Sequence, residues 1–233
     1  MKTSLFPSNF RPAGLCLLAL VVACILAVFA PPYARAQIIY DNGPPNQQNG
    51  NEMTQWIQAE DFSLTAATTL TSVHFWDIED PGGAPYQGQI AWGLYADAGG
   101  MPANTPFASG AAIGGDVTRT FIQGGVLGFF DEYSDSFNIA PVALAAGTTY
   151  WIGLHNGPLT TTFRADFYWE TTNSNTSFTG HEDIAPFGDG WSDNGQQHAF
   201  YLDTVPEPST WALLGLGMCG LFCVGWRRRA VQS

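Results

Sequence analysis

Gln87-Gly88-Gln89-Ile90-Ala91-Trp92-Gly93-Leu94-Tyr95 changes character at every residue. In an extended chain successive side chains point to opposite faces. Ile90, Trp92 and Leu94 therefore share one face, and Gln89, Ala91, Gly93 and Tyr95 share the other. The stretch reads as a strand with an apolar face. Pro81-Gly82-Gly83 breaks the chain before it, and a loop over 97–106 with Gly99-Gly100 and Pro102 breaks it after.

The same reading extends in both directions. Gln37 to Tyr40 reads as a short first strand, and Asp41 to Asn51, rich in Asn, Gln, Gly and Pro, as a loop. Thr54 to Phe62 and Thr68 to Ile78 are strand candidates, the second carrying Leu70, Val73, Phe75, Trp76 and Ile78. Val117 to Gln123, Phe129 to Ile139, Thr148 to Leu154, Arg164 to Glu170 and His198 to Asp203 follow. No segment between 37 and 204 sustains a helical period, and no repeat of fixed length is present. About eight to ten short strands separated by turn residues predict an all-β fold: a single antiparallel β-sandwich, jelly-roll-like.

Both ends of the chain differ from this middle. Lys2 and Arg11 precede an apolar run from Leu15 to Phe29. Pro31 and Pro32 break the run, and Ala34-Arg35-Ala36 follows. A basic start, an apolar centre and a small-x-small site predict a secretory signal peptide over 1–36, cut after Ala36. Val21-Val22-Ala23-Cys24 loosely fits a lipoprotein site, but Ile25 to Ala30 stays apolar where a polar tether belongs. Residues 37–204 form the expected ectodomain and residues 205–233 a separate tail.

All four cysteines, Cys16, Cys24, Cys219 and Cys223, lie outside 37–204. The expected ectodomain has no disulfide and no thiol chemistry, so it depends on packing, or on packing plus a metal. It holds 19 acidic residues against Arg119 and Arg164, a net charge of −17. Such a surface repels nucleic acid and anionic membranes and keeps an exported domain soluble.

The tail has three parts. Val205-Pro206-Glu207-Pro208 is followed by Ser209-Thr210, then by an apolar run from Trp211 to Trp226, then by Arg227-Arg228-Arg229. As a helix the run is about 24 Å long at ~1.5 Å per residue, a little short of a ~30 Å hydrocarbon core. Trp at each end suits the membrane interfaces, and the arginines suit a cytoplasmic stop. These parts, in this order, resemble the PEP-CTERM sorting signal. The resemblance implies cleavage by an exosortase, a membrane cysteine-transpeptidase-like enzyme, after transient inner-membrane anchoring. It also implies a Gram-negative host that makes exopolysaccharide and biofilm matrix, and a cell-surface or extracellular destination. Tails of this kind also go under the description of an ice-binding protein C-terminal segment. Thr68-Thr69 and Thr160 to Thr162 do not supply the regular flat array that ice binding needs. The ectodomain resembles, more loosely, the variable β-sandwich domains found ahead of such tails. The residues that carry this are Ala59-Glu60-Asp61-Phe62, Leu70-Thr71-Ser72-Val73, Leu94 to Gly100 and Ala146 to Trp151.

Three features are candidates for chemistry. Asp77, Glu79 and Asp80 put three carboxylates into four positions before a turn, a donor set suited to a structural calcium ion. Asp189, Asp193 and Asn194 form a second oxygen cluster. It departs from the EF-hand pattern and reads as a turn cap. Of six ectodomain tryptophans, Trp191 lies in a polar loop and is the candidate platform for stacking on sugar; Trp92 and Trp151 are the core candidates. Catalysis has little support. His74, His155, His181 and His198 are isolated, and no Gly-x-Ser-x-Gly or His-Glu-x-x-His motif is present. His181-Glu182-Asp183 alternates between faces in a strand. The expectation is an exported, non-catalytic carbohydrate- or matrix-binding protein whose partners are signal peptidase, exosortase and extracellular polysaccharide. The alternatives are a secreted polysaccharide hydrolase, whose paired carboxylates would meet only in space, and a structural coat protein.

Overall fold

The computed structural model describes residues 36–174, 178–184 and 190–204. The expected signal peptide up to Arg35, the sorting motif Val205 to Pro208, the expected membrane helix and Arg227 to Arg229 lie outside the described residues.

Among the described residues thirteen strands follow one another, with a single 3₁₀ turn at Gly114–Asp116. They are β1 (Gln37–Asp41), β2 (Pro45–Glu52), β3 (Trp56–Ser63), β4 (Thr68–Glu79), β5 (Gln89–Ala96), β6 (Ala108–Ile113) and β7 (Val117–Val126). Then come β8 (Phe130–Leu144), β9 (Thr149–Asn156), β10 (Phe167–Thr172), β11 (His181–Ile184), β12 (Ser192–Asp193) and β13 (Phe200–Thr204). They make two antiparallel sheets. The six-stranded sheet runs β12-β11-β3-β9-β5-β6. In the seven-stranded sheet β4 is the axis. β8 pairs along one side of it, with β7 beyond. On the other side two strands lie end to end: β13 pairs Ser72–Phe75 and β10 pairs Asp77–Glu79. β1 then pairs β13, and β2 pairs β10.

The two sheets share one core. β4, β10 and β13 contribute Val73, Phe75, Phe167, Trp169, Phe200 and Leu202, while β3, β5 and β9 contribute Phe62, Ile90, Trp92, Leu94, Ile152 and Leu154. Each such side chain contributes roughly 1.5–3 kcal/mol on burial, which is how a fold without cysteine in 37–204 holds together. The expected alternation of β5 is present: Ile90, Trp92 and Leu94 face this core. Tyr95, on the opposite face, enters a second apolar cluster with Ile57, Ala59, Trp151 and Trp191, closed over by Leu159 and Phe178. The centre of the six-stranded sheet is therefore buried on both faces.

Four strands, β2, β6, β11 and β12, were not among those read from the sequence, and the first two show why. The Asp41 to Asn51 segment is not wholly loop, because β2 occupies Pro45–Glu52. It pairs with β10 alone, its proline stands first in the strand, and Gln47 has a positive φ of 57°. These are edge-strand features that composition reads as a turn. β6 is Ala-Ser-Gly-Ala-Ala-Ile, poor in strand formers. Its place is set by Trp92: a Cβ on Gly110 would come within 2.9 Å of that indole, so the glycine lets the edge strand lie over the ring.

Candidate functional site

Directly paired residues in antiparallel strands share a face, so the register of β4 sorts the seven-stranded sheet into two surfaces. Val73, Phe75, Asp77 and Glu79 point inward; His74, Trp76 and Ile78 point outward. Three of the rows on the outward surface centre on His74, Trp76 and Ile78. Thr118, Ser136, His74, Tyr201 and Asp41 form the first. Thr120, Ser134 and Trp76 form the second. Gln123, Glu132, Ile78 and Tyr168 form the third.

The centre of this surface is aromatic. The His74 ring stacks on Tyr201 at 4.1 Å with an 11° interplanar angle, and Trp76 meets Tyr201 at 5.7 Å. All three rings are half-buried, and Thr118 and Thr120 beside them are exposed. His74 Nε2 lies 2.9 Å from Asp203 Oδ2. Burial pushes the imidazole below its ordinary pKa, although Asp203 opposes this. Tyr201 covers one face of the ring. The arrangement offers a sugar ring an apolar platform bordered by hydroxyl and carboxylate partners.

Two buried carboxylates flank the platform. Glu132 is 2% exposed and Glu170 is fully buried. Gln47 bridges them: its backbone N–H donates to Glu170 Oε1 at 2.9 Å, and its Nε2 donates to Glu132 Oε2 at 3.0 Å. Gln123 Nε2 donates to the same Glu132 oxygen at 2.7 Å. Burial, and then the Glu132 charge, push Glu170 up to about 8, so it carries a proton at neutral pH. The left-handed backbone of Gln47 is strain held in place by this bridge.

The inward surface ends in an ion cluster where the apolar core stops. Arg119 donates from Nε to both oxygens of Asp135 at 3.1 and 3.0 Å. From Nη2 it reaches Asp77 at 3.2 Å and Glu79 at 3.2 Å. The guanidinium also lies 4.5 Å from the ring centres of Tyr86 and Tyr133. One cation faces three carboxylates. Burial raises all three, pushing Asp135 up to about 6, and the neighbouring Asp135 charge raises Asp77 further.

This geometry corrects the calcium reading. Asp77 and Glu79 close on Arg119, and Asp80 turns away to accept the Gly82 N–H at 2.8 Å. The trio is split, and among the described residues no group of three or more His, Cys, Asp or Glu is placed to hold a metal ion. The error arose because Arg119 is 42 residues from Asp77 in sequence and meets it only across β8. In the second oxygen cluster Asp189 lies outside the described residues. Asp193 caps its own turn, accepting from Gly195 N–H at 2.7 Å, and Asn194 donates to Gln58.

The stacking reading of Trp191 is corrected as well. It is 9% exposed, packs edge-on against Tyr95 at 5.3 Å, and its Nε1 donates to the Ala103 carbonyl. A polar sequence neighbourhood did not make an exposed ring, because the 97–106 loop folds over it. Trp76, with Trp56 and Trp169, is one of three tryptophans the sequence reading left unranked. Its signal was the alternation of 74, 76 and 78 against 73, 75 and 77, which separates outward from inward residues.

His198 and Glu60 form a further buried pair, which joins the two sheets. His198 Nδ1 lies 2.8 Å from Glu60 Oε2, and the His198 backbone N–H donates to the same oxygen. Burial pushes the imidazole down to about 3 and raises the carboxyl well above the ordinary glutamate range. Trp169 covers the imidazole at 4.7 Å. A Cβ on Gly180 would lie 2.6 Å from this ring, so only glycine fits there. With no route to solvent, the pair is structural.

An all-β domain with an open aromatic face leads directly into the tail at Thr204. Residues 204–229 match the family model described as the PEP-CTERM protein-sorting motif. The chain carries this motif, and with it the character of an exported bacterial protein that an exosortase processes for the cell surface or the exterior. No curated protein matches the chain.

Proposed function

We propose that the two-sheet domain is a non-catalytic carbohydrate-binding module, and that it retains extracellular polysaccharide in the matrix around a Gram-negative cell. The carrying observation is the half-buried Trp76–Tyr201–His74 surface on the outer face of the seven-stranded sheet, set among Thr118, Thr120, Ser134 and Ser136. The strand wiring supports a jelly-roll sandwich: the order β1-β13-β4-β8 in one sheet faces β3-β9-β5-β6 in the other.

A hydrolase reading would rest on Glu132 and Glu170, two carboxyls of which one is protonated at neutral pH. Their burial beneath Gln47 favours binding over turnover, because a glycosidic bond needs both groups accessible. A glycan-binding screen of the full chain, run beside turnover assays on the same polysaccharides, tests the proposal. Binding without cleavage is expected. Cleavage makes the protein a hydrolase, and absence of both makes it a structural coat protein.

A further inference from the structure

We infer that β7 is a self-association edge: two copies of this chain pair their β7 strands antiparallel about a two-fold axis and join their seven-stranded sheets into one. The pairing does not depend on the carbohydrate-binding reading above.

The sheet rims carry the inference. A rim strand leaves a row of backbone N–H and C=O groups open, and proteins blunt such rims with short strands, proline, lysine or bulges. Among the described residues the other rims are short or blunted. β12 has two residues, and β1 has five, broken by a bulge. β2 begins at Pro45 and turns left-handed at Gln47. β6 has six residues, five of them small. β7 is ten residues long, pairs with β8 alone among the described residues, and contains no proline, lysine or acidic residue. Its two bulges lie beyond Phe121, so Val117 to Phe121 stay regular.

The same hairpin keeps apolar side chains in water. Phe121 and Ile122 on the rim, and Leu127 and Phe129 at the tip, are between 47% and 57% exposed. These are four of the ten large apolar side chains left exposed among the described residues. Leu127 holds a φ of 52°, in the left-handed region that leucine rarely adopts. Apolar groups held exposed and strained in one place mark an interaction surface.

A second copy fits that surface. The occupant must bring an open strand of similar length, and among the described residues β7 itself is that strand. A two-fold axis makes the pair antiparallel, as the strands of both sheets already are. With the axis at Thr120, the Leu127 and Phe129 tip of each copy reaches the start of the other copy's β7, just after the exposed Ile113. The apolar groups at the two ends of the strand then cover one another. Residues 37–204 hold 19 acidic side chains and β7 holds none, so the two rims meet without opposing carboxylates of their own.

Sedimentation equilibrium of the full chain, purified in detergent, tests the pairing. The parent is expected to dimerise, and more tightly as salt rises from about 0.01 to about 1 M, because the screening length falls from about 30 to about 3 Å and the two acidic domains repel less. Hydrogen exchange over Val117 to Ile122 should slow as protein concentration rises. Ile122→Lys stands at an exposed rim position of the kind that tolerates lysine. It should weaken the dimer at least about tenfold while its circular dichroism stays that of the parent. Should that variant fail to fold, Thr120→Lys, at another exposed position of the same strand, is read in its place with the same expectation. A monomeric parent, a dimer that salt dissolves, exchange indifferent to concentration, or a dimer that survives the lysine in a folded variant would overturn the inference. The carbohydrate-binding reading survives each of these outcomes.

Discussion

The outer faces of the two sheets differ in how they end. On the six-stranded sheet Trp151, Tyr95 and Trp191 are roofed by Leu159 and Phe178, so the face is a second core. On the seven-stranded sheet His74, Trp76 and Tyr201 stay half-buried, with threonine and serine beside them. Similar residue types thus stabilise the fold on one side and form a platform on the other. What separates them is a loop: the 97–106 connection folds over the first face, whereas Gln47 and Arg164 reach across parts of the second. The number of aromatics in a sequence does not identify a binding surface. Coverage does.

The sharpest way to break this comparison is to remove a ring from each side. Trp151→Ala should destabilise the domain by about 3–5 kcal/mol, as for other large-to-small core changes, measured by denaturant unfolding. Trp76→Ala should cost about 1 kcal/mol or less, in line with surface changes. Equal costs would mean that the two faces are equally structural.

Replacement of Arg119 by Met comes next, because it leaves Asp77, Glu79 and Asp135 buried without their cation. Breaking a buried pair of this kind costs about 3–5 kcal/mol, and the loss should shrink in acid as the carboxyls protonate. A variant as stable as the parent at neutral pH would remove the ion cluster from the account.

The pH dependence has two opposing parts. A carboxyl raised in the folded state stabilises below its unfolded pKa, and that contribution is lost as pH rises through the folded value. Glu170, raised to about 8, therefore makes stability fall as pH climbs from the ordinary glutamate range to about 8. Asp135 does the same up to about 6. His198 has the opposite sign. Its folded value of about 3 means that stability is present above the ordinary histidine range and is lost as pH falls toward 3. Unfolding curves should show a weakly acidic optimum, with a decline on the alkaline side that Glu170→Gln flattens. A decline unchanged in that variant would reassign it to another group. The smallest effect expected is that of calcium: with Asp77 and Glu79 held by Arg119, added calcium should leave the melting temperature where it was. A clear rise would restore a cation site.

Much of the fold was legible in the sequence. The strict alternation of 89–95, and the Thr, Val and aromatic content of 68–78, depend only on local geometry, so both strands are found where they were read. β2 and β6 were not legible, because edge strands tolerate Pro, Gly and Ala, and their pairing is set by partners far away in the chain. The site was less legible still. Trp191 was read as exposed from its polar neighbours, yet a loop nearly 90 residues earlier covers it. Asp77 and Glu79 were read as metal ligands from their spacing, yet their cation is an arginine two strands away. Burial and charge pairing are properties of tertiary contact, and spacing alone does not carry them. The sorting motif was readable at once, because its information is wholly local.

The central claim is that the open face of the seven-stranded sheet is where the exported domain meets its glycan. It is tested most directly by measuring the affinity of the parent and of Trp76→Ala for the polysaccharide that binds in the glycan screen, by titration calorimetry with melting curves on the same samples. The account predicts melting curves that nearly coincide and an affinity lower by about tenfold or more, as expected from loss of a stacking partner. An unchanged affinity in a folded Trp76→Ala protein would contradict it.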